Sequence, residues 1–147
     1  MSKPRLADIL DESPEEVVRR PPLPAGSYVC TVTGWREDKS AKKGTKYHEF
    51  DFRPIEALDD VDADELEAAG GIDGKTLKNK YWITEDAISM LDDLHQNCGL
   101  DLKNNRNSRR MRNDEIINSQ VIVYVKHEES QDGTRTYANV ARTAPVE

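Results

Sequence analysis

The stretch Thr45 to Ile55, TKYHEFDFRPI, alternates strictly: His48, Phe50 and Phe52 fall on one face, and Tyr47, Glu49, Asp51 and Arg53 on the other. That is the period of a half-buried strand. Upstream, Ser27 to Glu37 (SYVCTVTGWRE) is rich in β-branched and aromatic residues, and its alternation groups Trp35 with Thr31 and Thr33. The polar run Asp38 to Gly44 joins the two, so the pair reads as a hairpin with a basic tip. Gly74 to Ile83 alternates again, with Leu77, Tyr81 and Ile83 against Lys78, Lys80 and Trp82, giving a third strand. After Thr84 the period lengthens: Ala87, Ile88, Leu91, Leu94 and Cys98 recur at helical spacing. Thr84 stands as N-cap, Glu85 and Asp86 suit the positive end of the helix dipole, and Gly99 ends the run. Ser119 to Lys126 and Arg135 to Arg142 flank an Asp132-Gly133 turn and form a closing hairpin. Val121 to Val125 is apolar on both faces, which points to burial beneath the helix or a subunit contact in a homo-oligomer.

Ahead of the strands lies an arm. Leu6, Ile9 and Leu10 make a short apolar stripe, and Ser13-Pro14-Glu15-Glu16 has capping-box order. Pro21 to Gly26 follows as an extended linker, since proline excludes helix. Residues 1–25 therefore form an arm and Pro-rich linker, and residues 26–145 a domain with an acidic insertion at 56–73 and a basic loop at 103–113. Three strands, a helix and two more strands define a mainly β chain: a five-stranded OB-fold-like barrel with one α-helix between strands 3 and 4.

Composition narrows the function. The 147 residues are 36% hydrophobic and 33% charged, with no apolar run near membrane-spanning length. Met1-Ser2-Lys3-Pro4-Arg5 is not followed by the apolar region of a secretory signal, and two scattered cysteines, Cys30 and Cys98, make no disulfide framework; a reducing cytoplasm is expected. The formal net charge of -7 taken alone argues against nucleic acid. Its placement changes that. Glu56 to Asp73 holds eight acids and no Lys or Arg, so the remainder of the chain is about neutral. Lys103 to Asn113 holds five bases and no acid, and Arg36, Lys39, Lys42, Lys43 and Lys46 cluster around the hairpin tip.

Four segments carry a family resemblance: PLPAGSYVCTVTGW, KKGTKYHEFDFRPIE, GKTLKNKYWITEDAISMLDDLHQNCGLDL and DGTRTYANVARTAPV. Together they resemble a family of small phage-encoded single-stranded-DNA-binding proteins, over roughly Asp8 to Pro145. The shared features are a Pro-x-Gly-x-Tyr entry to the first strand, a Lys-Lys-Gly tip, a Leu-rich helix ending at Cys-Gly and a late strand, here Tyr137-Ala138-Asn139-Val140. These motifs are structural, not catalytic. The resemblance implies an OB-like fold, single-stranded DNA as partner, and a role in phage replication or recombination, alongside other proteins of those processes, in the cytoplasm of an infected bacterial host.

Single-strand binding needs cations for phosphates and exposed aromatics for stacking. If Phe50 and Phe52 fill the interior, the opposite face offers Tyr47 and Arg53 on strand two, Lys78, Lys80 and Trp82 on strand three, and Trp35 with Arg36 on strand one. The tip adds Lys39, Lys42, Lys43 and Lys46, and the basic loop adds Arg106, Arg109, Arg110 and Arg112 as a mobile clamp. The acidic insertion is either a solvated loop or a DNA mimic lying over the basic groove. Enzyme readings find little material. His48-Glu49 lacks the Pro-Cys-x-x-Cys of a zinc deaminase, the three histidines have no zinc spacing, and Glu49, Asp51 and Lys39, the material of a nuclease site, sit on an outward strand face. No catalysis, cofactor or metal is expected. The competing expectation is an OB-like module whose groove binds a protein rather than nucleic acid.

Overall fold

The computed structural model describes residues 21–146; the expected arm helix with its Ser13–Glu16 cap lies outside the described residues. Its elements are β1 (Gly26–Lys39), β2 (Lys46–Ala57), α1 (Ala63–Ala68), β3 (Leu77–Trp82), α2 (Ile88–Asn97), α3 (Arg109–Glu115), β4 (Gln120–Glu129) and β5 (Thr136–Ala144). The strands form one five-stranded antiparallel sheet in the order β3-β2-β1-β4-β5. Period-two burial built it: Phe50 and Phe52 of β2, Leu77 and Tyr81 of β3, and Val121, Val123 and Val125 of β4 point to one side and meet Leu91 and Leu94 of α2 and Ile116. Pro54 is tolerated inside β2 because the β2–β3 ladder stops at Phe52↔Leu77, leaving its missing N–H where no partner strand needs it.

The closed barrel expected from the sequence is not what forms. Strands β3 and β5 approach each other over α2, but no ladder joins them among the described residues, and the sheet stays open. A hollow of about 300 Å³ separates the two edges, with Tyr81, Met90, Asn97 and Thr143 on its walls. Asn97 of α2 donates to Thr143 Oγ1 at 2.9 Å, so the helix fills the seam that strand pairing would have closed. Two further differences concern helices. The basic stretch is a loop only as far as Ser108, whose Oγ accepts from Met111 N–H at 3.2 Å and caps α3. Thr84 caps a turn through Ala87 N–H, one turn ahead of α2.

A bulge corrects the face assigned to Trp35. Val32 pairs with Phe52 but Gly34 pairs with Asp51, so Thr33 is an extra residue and the parity of β1 switches beyond it. Trp35 therefore sits opposite Phe50 and turns inward, away from the face of Thr33. Its ring lies 5.0 Å from that of His48 and 6.4 Å from that of Phe50. Its indole Nε1–H donates to Asp114 Oδ1 at 2.8 Å.

The Pro-rich segment belongs to the packed body at its end. Leu23 and Pro24 are buried, Tyr28 O–H donates to the Pro24 carbonyl at 2.7 Å, and His127 Nε2–H donates to the Leu23 carbonyl at 2.7 Å. Gly26 is required where β1 begins: its φ is 138°, and a Cβ there would stand 2.7 Å from Val61 Cγ2.

Candidate nucleic-acid interface

The parity change at Thr33 sets the outer face. Beyond the bulge, cross-strand neighbours form three rungs: Asp38–Tyr47–Trp82, Arg36–Glu49–Lys80 and Gly34–Asp51–Lys78. The Tyr47 and Trp82 rings meet edge to face at 5.2 Å, and Lys80 Nζ stands 4.7 Å from the centroid of the Tyr47 ring. Trp82 is 37% exposed, high for a residue of its size. The neighbouring rungs are electrically satisfied. Arg36 pairs with Glu49 and lies 3.7 Å from Asp51 Oδ1, while Lys78 Nζ lies 3.3 Å from the same oxygen. Lys80 has no carboxylate partner among the described residues, and neither has Arg53, which is exposed beside Thr31. The tip continues from the aromatic rung. Lys39 pairs in register with Lys46, and Lys42 and Lys43 are exposed in the turn between them. The aromatic faces and the Lys80 ammonium, without a carboxylate partner among the described residues, thus share the outer face and lead to Lys42 and Lys43 in the turn, while the Lys39–Lys46 pair falls on the opposite face.

The arginines of 103–113 are placed differently. Arg109 grips Asp92 of α2 with two bonds of 2.9 Å, which holds the Asp92 carboxyl below its ordinary range. Arg110 donates through Nε and Nη2 to Glu37 Oε1 at 3.0 and 2.7 Å. Arg112 donates to the Asn105 carbonyl at 2.5 Å and is half-buried. Only Lys103 and Arg106 of this stretch are exposed without a carboxylate partner among the described residues. Instead of a mobile clamp, the segment from Ser108 onward is a helix tied down by its own cations.

Behind these arginines runs a buried polar chain that reading the sequence missed. Glu37 Oε1 accepts from His48 Nε2–H at 3.0 Å; His48 Nδ1 accepts from Asn113 Nδ2–H at 2.8 Å; Asn113 Oδ1 accepts from His95 Nε2–H at 2.6 Å. With the Asn113 amide so oriented, both imidazoles carry a proton on Nε2, and His48 Nδ1 is left free to accept. His48, Asn113 and His95 are all buried. Hydrogen bonds from His48 and Arg110 lower the Glu37 pKa, and burial lowers that of His95. His48 shares the inward phase of Phe50 and Phe52, a visible hint of a polar group in the core, but nothing in sequence spacing ties it to residues 95 and 113.

The sequence profile of a family described as protein of unknown function, DUF669, matches residues 13–147. The chain belongs to the DUF669 family. No curated protein matches it. In this DUF669 protein the matched span includes every residue of the aromatic rung, the lysine tip and the buried polar chain. It also takes in the acidic insertion, whose position rules out the DNA-mimic arrangement. Asp60 accepts from Ser27 N–H at 2.8 Å and from Ser27 O–H at 2.6 Å, which lowers its pKa and pins the insertion to the start of β1. Asp62 caps α1 by accepting from Glu65 N–H at 2.9 Å, and Lys75 closes its other end on the Ala69 and Gly71 carbonyls. The lysine tip lies at the other end of the β1–β2 ladder, roughly 36 Å along the strands at about 3.3 Å per residue. Among the described residues of the DUF669 chain, no three His, Cys, Asp or Glu side chains are grouped to hold a metal ion. No described helix is long and apolar enough to cross a membrane.

Proposed function

We propose that this protein binds single-stranded DNA with little sequence preference, through the outer face of β2 and β3 and the adjoining β1–β2 tip. The observation that carries the reading is the outward Tyr47–Trp82 pair, Trp82 exposed and Tyr47 half-buried, with Lys80 against it at the base of a lysine-rich hairpin. Aromatic faces accept any base, and each stacked base contributes on the order of 1–3 kcal/mol. The frame is an OB-like one opened along one seam: joining β3 to β5 would turn the observed strand order into a five-stranded barrel. The protein acts by binding, without catalysing a reaction, in phage replication or recombination inside an infected bacterial cell, where other proteins of those processes are its partners.

Titrating the purified chain with single- and double-stranded oligonucleotides across a salt series, read by gel shift and tryptophan fluorescence, tests the proposal. A salt-sensitive preference for single strands is expected; equal or absent binding of both defeats it. One observation favours a different reading. The Arg36–Glu49 and Lys78–Asp51 pairs make much of the outer face charge-balanced, which suits a protein partner as well as a polyanion. Failure to bind either nucleic acid would select that interaction module.

A further inference from the structure

The β2–β3 ladder runs one step past its aromatic rung, where Ile83 N–H donates to the Lys46 carbonyl at 2.9 Å. By strand alternation, Lys46 and Ile83 are set on the opposite side from Tyr47 and Trp82. There they open onto a hollow of about 200 Å³ between the end of β3 and the starts of α2 and α3, bounded also by Ile88, Arg109, Arg110 and Glu37. A second hollow of about 280 Å³ adjoins it across Ile83, Ile88 and Arg109, with Glu85 on its rim. Half-buried Ile83 and Ile88 offer an apolar floor, and the guanidinium and ammonium groups edge it. An apolar floor beside a planar cation matches the two halves of a nucleotide, base and phosphate.

We propose that a single strand stacked on Tyr47 and Trp82 continues over the end of β3 and lodges one nucleotide in this hollow, its base against Ile83 and Ile88 and its phosphate on Arg110. The proposal rests on reading the outer face as a single-strand-binding surface. Arg110 is the exchangeable cation for a geometric reason. It places both of its bonds on one oxygen, Glu37 Oε1, and that oxygen also accepts from His48 Nε2 at 3.0 Å. When Arg110 leaves, Glu37 keeps a donor. Asp92 takes both of its hydrogen bonds from Arg109 and would keep none. The Arg110 side chain is also the more exposed, 62% against 45%. Glu37 thus acts as an internal stand-in for a phosphate, holding the guanidinium in place until a strand displaces it.

Isoleucine δ1-methyl NMR of the full chain, titrated with a short and a longer oligothymidylate, reads the path directly. The longer oligomer should shift the Ile83 and Ile88 methyls, leaving Ile72 and Ile122 unmoved, and the short one should quench Trp82 without reaching them. Arg110→Gln should weaken the longer oligomer several-fold and spare the short one. Glu37→Gln, which frees the guanidinium, should tighten the longer one more than Asp38→Asn, an equal change of charge on the outer face. Tryptophan quenching with silent Ile83 and Ile88 methyls, or an equal loss for both lengths in Arg110→Gln, overturns the path but leaves the outer-face reading standing. Absence of any response to either oligomer overturns both.

Discussion

Two stretches of this chain are cationic on paper, the β1–β2 tip with the β3 face and the segment Lys103 to Asn113, yet the fold treats them in opposite ways. Lys39, Lys42, Lys43, Lys46 and Lys80 stay free of described carboxylates, Lys80 against the Tyr47 ring and the others at the adjoining tip. Arg109, Arg110 and Arg112 are committed to Asp92, Glu37 and a backbone carbonyl. The stretch with the densest charge is the one whose charge is mostly spent on holding a helix in place. A count of bases records how many cations a segment owns; only their partners tell how many it can offer a ligand.

The contrast can be broken most severely at the aromatic rung. Replacing Tyr47 and Trp82 together by Ala should lower affinity for oligothymidylate by about 10-fold or more, from the loss of on the order of 1–3 kcal/mol per stacked base, measured by fluorescence anisotropy. Because both side chains lie on the outer face, thermal stability should change little; wild-type affinity in the double variant would remove the basis for the proposed interface. The opposite pattern is expected at Asn113. Asn113→Leu leaves His48 Nδ1 and His95 Nε2–H without partners in the core, a cost of roughly 1–3 kcal/mol for each such group, readable as a lower urea midpoint. An unchanged midpoint would mean that the polar chain does not hold α3.

Lysine substitutions give the next smaller effect. Lys42→Gln with Lys43→Gln should weaken binding several-fold and flatten the dependence of log affinity on log salt by about 0.7 for each phosphate that is no longer neutralised. Arg109→Gln should leave that slope unchanged and lower stability instead. The smallest effect is set by pH. The pKa of His95 is depressed by burial in the folded chain, so the unfolded chain takes up its proton first as pH falls. Stability from this group is fully present above the unfolded value of about 6.5 and is lost as pH drops below it. Glu37, also depressed, adds a second loss once pH falls below the ordinary carboxylate range of about 4.3. Denaturation midpoints should therefore decline below about pH 6.5; a flat profile to pH 5 would contradict a neutral His95 in the core.

What the sequence made legible followed from one-sided burial. On β2 and β3 the large apolar residues share one phase, so Phe50, Phe52, Leu77 and Tyr81 declared the inner face, and with it the outward positions of Tyr47, Lys80 and Trp82. The placement of Trp35 was not legible, because a bulge adds one residue without changing composition, and alternation read straight through Thr33 lands on the wrong side. Helix α3 was hidden for a different reason: Arg109 to Glu115 has no apolar stripe, and the residue it buries is Asn113. The open seam between β3 and β5 depends on what α2 places between two edges, a matter of long-range packing. The arginine partners were equally invisible, since Glu37 and Asp92 lie far from Arg110 and Arg109 in the chain.

The bulge at Thr33 has a bearing on how such a surface changes over generations. Trp35 keeps the inward side of Tyr28, Cys30 and Val32 because Thr33 stands outside the pairing. Deleting Thr33 would close the bulge and leave Gly34 opposite Asp51 and Trp35 opposite Phe50, with Arg36 still on the outer face. At this one point the sheet can therefore shed a residue without exchanging its inner and outer inventories.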